Sequence, residues 1–164
     1  MWGSITPDTN NVCDWSTAPF NNGSSSYNET YFNSVKDDVC PNGVLAKKYD
    51  AAAQIMGGNW RMPTNADFRE LYKNTTNRWV TINGVDGIKF TSKTDTSKYI
   101  FFPKSGIRSG SSFSSQNYSG GVWSSSVQSY YFNYALYFFF YSDEINVDKI
   151  RDRCDGFVVR GVFK

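Results

Sequence analysis

Between Val127 and Ser142 nine of sixteen residues are aromatic, about three times the 18% of the whole chain. Side chains of that size cannot all be left in water. An extended strand, which sends successive side chains to opposite faces, is the conformation that divides such a run between a core and a surface. Over ALYFFFY, from Ala135 to Tyr141, the alternation sends Leu136, Phe138 and Phe140 one way and Tyr137, Phe139 and Tyr141 the other. The first set is expected in the core. The second is expected to face outward, with Tyr130, Tyr131, Phe132 and Tyr134 preceding it in the chain. Exposed aromatics in a row mark an interaction patch more often than an accident, and tyrosine gives a large contact area at low entropic cost with a polar tip.

The remainder of the 164 residues sorts into an α+β pattern. Residues 1–43 are rich in Asn, Ser, Asp and Gly and read as loops and short strands covering a core. From Leu45 to Gly58 the spacing of Leu45, Tyr49, Ala52, Ala53 and Met56 predicts a helix closed by a glycine pair. Thr64 and Asp67 have capping-box spacing, so a second helix is expected from Thr64, with Phe68, Leu71 and Tyr72 on its inner face. WVTING, GIKFTS and KYIFFP read as short strands bounded by turn residues. Residues 105–126 hold ten Ser and four Gly, yet Ile107, Phe113, Tyr118, Val122 and Trp123 punctuate them, which predicts an ordered, irregular loop pinned by apolar anchors. Beyond the aromatic strand a polar connection and a last strand, about residues 156–163, are expected. The whole is read as one domain over 1–164: a loop-rich part (1–43), a scaffold (44–126), and a ligand-binding stretch with the last strand (127–164).

Several chemistries are excluded at this level. There is no histidine, which removes Ser-His-Asp and Cys-His nucleophilic sites, His-based metal sites and the commonest general base. Cys13, Cys40 and Cys154 form no C-x-x-C pair; a Cys13–Cys40 bridge fits the spacing, and three free, mostly buried thiols are the favoured reading. A net charge of +2 gives no footprint for nucleic acid. No apolar run reaches membrane-spanning length, and MWGSITPDTNN lacks the cationic and apolar regions of a signal peptide, so a piece of a longer, otherwise anchored or exported protein is expected. No cofactor and no metal site is expected, although Asp86, Asp95 and Asp143 are isolated carboxylates able to hold a structural ion.

NWRMPTNADFREL (Asn59 to Leu71) resembles the W-R-[LM]-P-T motif and following helix of C-type-lectin-like domains, carried here by Trp60, Arg61, Met62, Pro63, Thr64, Asp67 and Phe68. FFPKSGIRSG, GGVWSSS, the pair Ala135 and Leu136, and RCDGFVVRGV then follow in that group's order, so the resemblance spans about residues 44–163. The group includes formylglycine-generating enzymes and the variable proteins of diversity-generating retroelements, and the latter, of gut bacterial and phage type, look closest. The resemblance implies a lectin-like fold of two helices, a small mostly antiparallel sheet and long loops, with diversification at the C-terminal end.

What the resemblance implies for function is recognition without chemistry. Formylglycine-generating enzymes need a cysteine pair near the C-terminal end, where this chain has Cys154 alone, and calcium-type sugar signatures (E-P-N, Q-P-D, W-N-D) are missing. The variable, ligand-binding set is then Tyr130, Tyr131, Phe132, Tyr134, Tyr137, Phe139 and Tyr141, extended by Asn146, Asp148, Arg151, Asp152 and Cys154. Trp60, Arg61, Pro63, Trp123, Arg153, Gly156 and Arg160 match fixed scaffold positions, with Trp60 and Trp123 expected in the core and Arg153 and Arg160 in ion pairs or bonded to backbone. The implied partner is a protein or cell-surface ligand met from a phage tail tip or a bacterial surface, and exposed aromatics would also favour self-association. A fixed structural or assembly module of such a particle is the rival reading.

Overall fold

The computed structural model describes residues 1–6 and 12–164. Its first helix lies where composition predicts loops. The Asn28 side chain accepts from the Tyr31 N–H, and Glu29 and Lys36 sit in the first and last turns, where they suit the helix dipole. The resulting α1 (Glu29–Val39) buries Phe32 and Val39.

The helix expected from Leu45 to Gly58 is divided into a 3-10 turn (Lys47–Tyr49) and a short α2 (Ala51–Met56). Asp50 is the reason. Its carboxylate accepts from the Ala53 N–H at 3.0 Å, capping α2, and from the Met62 N–H at 2.8 Å, which pins the chain just after β1 (Trp60–Arg61). Ala51, Ala52 and Ala53 are buried, while Met56, expected inside, is exposed. Trp60 is also not a core residue: it is half-buried on a two-residue strand and meets Phe163 edge-on at 5.3 Å. The capping box does form. Thr64 accepts from the Asp67 N–H and Asp67 from the Thr64 N–H at 2.6 Å, starting α3 (Asn65–Asn74). Arg61 clamps the same carboxylate through both terminal nitrogens, at 2.7 and 2.9 Å. Phe68 is buried and Leu71 packs beside it, but Tyr72 points to solvent.

The three expected strands are present as an antiparallel sheet in the order β2 (Thr75–Ile82), β3 (Val85–Ser92), β4 (Tyr99–Pro103). The serine-rich stretch is more regular than its composition suggests: a hairpin, β5 (Ile107–Ser109) and β6 (Ser112–Ser114), and then β7 (Gly120–Val127), in which only Ser126 is not buried. Val122 and Trp123 are the anchors there, whereas Phe113 and Tyr118 are exposed. Ser125 donates its N–H to the Pro63 carbonyl at 2.7 Å, and Ser124 its hydroxyl to the Leu136 carbonyl at 2.8 Å, so these serines serve as ladder and cross-links.

β7 pairs with β8 (Tyr134–Tyr141), and β8 with β9 (Glu144–Asp152), so the segment expected as a polar connection is a strand. The last strand, β10 (Val162–Phe163), is only two residues long and pairs with β1. Among the described residues the architecture is therefore α+β, with few helices and small antiparallel sheets. Two apolar clusters flank the β7–β8 pair. One gathers Phe68, Ile88, Phe90, Phe102, Phe138 and Phe140; the other includes Trp2, Phe32, Met62, Trp123, Ala135 and Tyr137.

The Arg61 guanidinium beside Asp67 holds that carboxyl down at about 2, with the Thr64 hydrogen bonds assisting and burial opposing. A carboxyl depressed below its unfolded value near 3.9 contributes stability that is complete above about pH 4 and is lost as pH falls through 2. Because Asp67 is partly solvated, the contribution is about 1 kcal/mol. Denaturant unfolding followed from pH 6 to pH 2 should show Asp67→Asn less stable by that amount at neutral pH and level with the parent at pH 2; an unchanged difference across the range would remove the ion pair as its source.

Candidate functional site: an aromatic groove on the central strands

β8 is the middle strand of its sheet, and both of its faces are covered in part. Phe138 and Phe140 enter the cluster below α3, where Phe138 stacks on Phe68 at 5.1 Å and meets Phe90 and Phe102 edge-on. Leu136, expected with them, is half-buried, because its cross-strand partner Ile150 lies at the exposed margin.

The opposite set does share one face, but as a graded wall. Tyr137 is only 7% exposed, Phe139 is half-buried and Tyr141 is 42% exposed. Tyr137 was expected outside; it is covered because Phe157 stacks on it at 4.5 Å and 16°, with Trp123 edge-on at 6.0 Å. Gly121 permits this approach: a Cβ there would lie 2.4 Å from the Phe157 ring. Burial pushes the Tyr137 hydroxyl above its ordinary value, so it is a neutral donor throughout the physiological range.

This wall lines a groove of about 590 Å³ whose other sides are Tyr118, Phe157, Arg151 and the Ser114–Ser115 corner. Arg151 reaches into it held from behind. Its Nε donates to Asp155 at 2.6 Å, and Asp155 is itself buried, so the side chain that lines the groove is anchored at its Nε. Burial works to lower the Arg151 pKa and the Asp155 carboxylate outweighs it, so the group is a permanent cation. Beside it Lys149 lies 5.5 Å over the Phe139 ring and pairs with Glu144 at 3.0 Å. The site therefore offers aromatic faces, hydroxyls and one oriented guanidinium, with each cation matched by a carboxylate.

The other expected residues disperse. Tyr130 and Tyr131 are 84% and 64% exposed in the turn before β8, where the Gln128 side chain accepts both of their N–H groups at 2.5 and 2.7 Å. That ordered turn lies at the end of β8 remote from Tyr141. Phe132 turns inward instead, its ring tilted against Phe32 at 5.9 Å under Lys36. Tyr134 is half-buried opposite Asp152, whose carboxylate accepts from Asn133 at 3.2 Å. Asn146 is used by the irregularity in β9, its side chain accepting the Asp148 N–H at 2.9 Å. That irregularity turns Asp148 toward α3, where it binds Asn65 at 2.6 Å and Arg69 at 2.9 and 2.5 Å, away from the groove. Cys154, expected as a contact position, is buried at 7%, and burial with Asp155 and Asp152 nearby pushes its thiol up to about 12. All three cysteines are buried and none is joined in a disulfide.

The fixed positions behave differently from one another. Arg160 donates to the Phe101 carbonyl at 3.2 Å. Gly156 exchanges two backbone hydrogen bonds with Arg108, and a Cβ there would meet Cys13 Sγ at 3.0 Å. Arg153 is wholly buried, its Nε on the Phe132 carbonyl. Tyr118, Phe157 and Asp155 were not expected in the site. Tyr118 reads as an anchor in a serine-rich stretch, and nothing in local sequence distinguishes Phe157 from a strand residue. No protein-family model, no curated protein and no solved structure matches the chain.

Tyr137→Ala should cost about 3 kcal/mol, as removal of a buried aromatic does, and Tyr131→Ala less than about 0.5 kcal/mol. Equal losses in chemical denaturation would mean that the floor and the turn are not distinct. The three thiols should also resist a disulfide reagent at pH 8 in the folded protein and react together once it is unfolded; fast modification of Cys154 alone would contradict its burial.

Proposed function

We propose that this chain is a non-enzymatic binding protein with a C-type-lectin-like fold, a variable protein diversified by a retroelement, which receives a protein or cell-surface ligand on its tyrosine-bearing face. The observation that carries the reading is the groove: an aromatic floor, Tyr137 under Phe157, rimmed by Tyr118, Tyr141 and Arg151. Tyrosine and arginine are the residues that most often act as binding hot spots, and they do so around well-packed pockets. The Tyr130–Tyr131 turn adds a second prominence, and a partner of standard size would cover about 800 Å² of this side. The lectin-like part of the reading rests on the order of the five sequence motifs. Among the described residues no helix is long and apolar enough to cross a membrane. Display on a phage tail tip or a bacterial surface follows from the resemblance, and nucleic acid is not a proposed partner.

The absence of histidine and the unreactive setting of Cys154 support recognition over catalysis. Sequencing the gene across one population tests the diversification. Codons for Tyr130, Tyr131, Tyr141 and Arg151 should vary at template adenines beside a near-identical repeat, while those for Trp123, Arg153 and Gly156 stay fixed. An invariant stretch without a template would overturn diversification and leave a fixed assembly module, which Tyr131→Ala or Tyr141→Ala would reveal as a loss of assembly.

A further inference from the structure

A second exposed surface lies on a sheet other than the one that carries the groove wall. β2 is the end strand of the β2–β3–β4 sheet, eight residues long, paired with β3 without a register shift. No residue in it is buried, and among the described residues no backbone hydrogen bond joins it to any strand but β3. An edge strand leaves alternate N–H and C=O groups unpaired, and proteins usually blunt such edges with proline, bulges, short length or charged side chains. TTNRWVTI has one of these, the charge of Arg78, which deters a like-charged strand and not an acidic one. The opposite edge is less free, since Arg160 occupies the Phe101 carbonyl of β4.

Register fixes what lies beside this edge. Trp79, Ile88, Phe90, Ile100 and Phe102 belong to the core-facing set. The other set puts Thr76, Arg78 and Val80 on β2, Lys89 and Thr91 on β3, and Tyr99 and Phe101 on β4. The charges of these cross-strand rows are Arg78 and Lys89, directly opposite one another. Like charges so placed repel. Neither takes part in an ion pair of the described residues, and Lys89 has only the Tyr99 ring, 4.0 Å from its Nζ.

We infer that β2 is a docking edge for an extended acidic segment of another polypeptide, which adds as a strand and places carboxylates over Arg78 and Lys89. Strand addition takes its affinity from main-chain hydrogen bonds and its selectivity from alternate side chains, and here both charges on the outward face beside the edge select for acid, while the exposed Asp86 lies on the other face and accepts from Thr81. A second copy of the chain is the poorer occupant, because joining two such edges would bring the Arg78 and Lys89 rows of both copies together.

The probe is an end-blocked eight-residue peptide of alternating Thr and Glu, titrated into the whole chain at low salt, with hydrogen exchange read at the β2 amides. The peptide should bind, slow exchange at Thr76–Ile82, and lose about tenfold in affinity with Arg78→Glu, Lys89→Glu or Lys in place of its Glu residues. Methylating its alternate amide nitrogens should abolish binding. The inference is overturned by no binding at about millimolar peptide, by binding that leaves β2 exchange unchanged, or by indifference to Arg78→Glu. It is equally overturned if the β2 amides are protected without peptide in a concentration-dependent dimer, which would assign the edge to a second copy.

Discussion

A buried guanidinium holds the two ends of this molecule together. Arg153 is 1% exposed, and its charge centre lies 4.0 Å from the centre of the Phe32 ring and 5.6, 5.8 and 5.7 Å from those of Trp2, Trp15 and Tyr27. A desolvated cation is costly unless something replaces its water, and four ring faces do so here in place of a carboxylate. Burial draws its pKa down to about 10, which still leaves it charged at neutral pH. The same residue is a backbone hub. Its N–H and Nε donate to the carbonyls of Asn133 and Phe132, and its carbonyl accepts from the Trp2 N–H. The N-terminal segment, α1, the turn before β8 and the exit of β9 therefore meet at one side chain. The cation also explains the local aromatic content, since each ring serves both as core and as partner to the charge.

β7 transmits that order to the groove. Its two leading glycines admit rings from either side: a Cβ on Gly120 would lie 2.2 Å from Phe140, and one on Gly121 would strike Phe157. Phe140 can then close one cluster and Phe157 the other, and Phe157 in turn forms the lid over Tyr137. The groove floor is thus set by Tyr137 of the central strand and by Phe157, which bridges from Gly156 to Arg108 and from Val158 to Val122 hold in place, while the rim remains open to solvent.

Much of this was legible in the sequence, and the exceptions share a cause. The capping box, the strands of the β2–β3–β4 sheet, the burial of Trp123 and the parity of Phe138 and Phe140 all follow from local rules. Tyr137 escaped because its cover, Phe157, is remote in sequence, and Cys154 because no local pattern marks its burial. Asp148 escaped for another reason: the irregularity in β9, stabilised by Asn146, changes which way the following side chains point, and period-two reasoning has no signal for it. The helix α1 escaped because only two of its residues are buried, too few to impose a helical period on an Asn- and Ser-rich segment.

The division of aromatics between floor and rim bears on how such a surface can change without unfolding. Tyr137, Phe138 and Phe140 are held by several rings each, so their replacement falls on the core. Tyr118, Tyr130, Tyr131 and Tyr141 project from backbone that other groups secure: the Gln128 side chain for the turn, the Ser115 carbonyl for Tyr118, and the β9 ladder for Tyr141. At those rim positions the side chain contributes little to folding, so its identity is free to be chosen by a ligand. Arg151 is intermediate, because Asp155 is buried and would lose its cation. Substitution there couples recognition to stability, and the Arg151–Asp155 pair is where a diversified surface would meet the limit of what the scaffold tolerates.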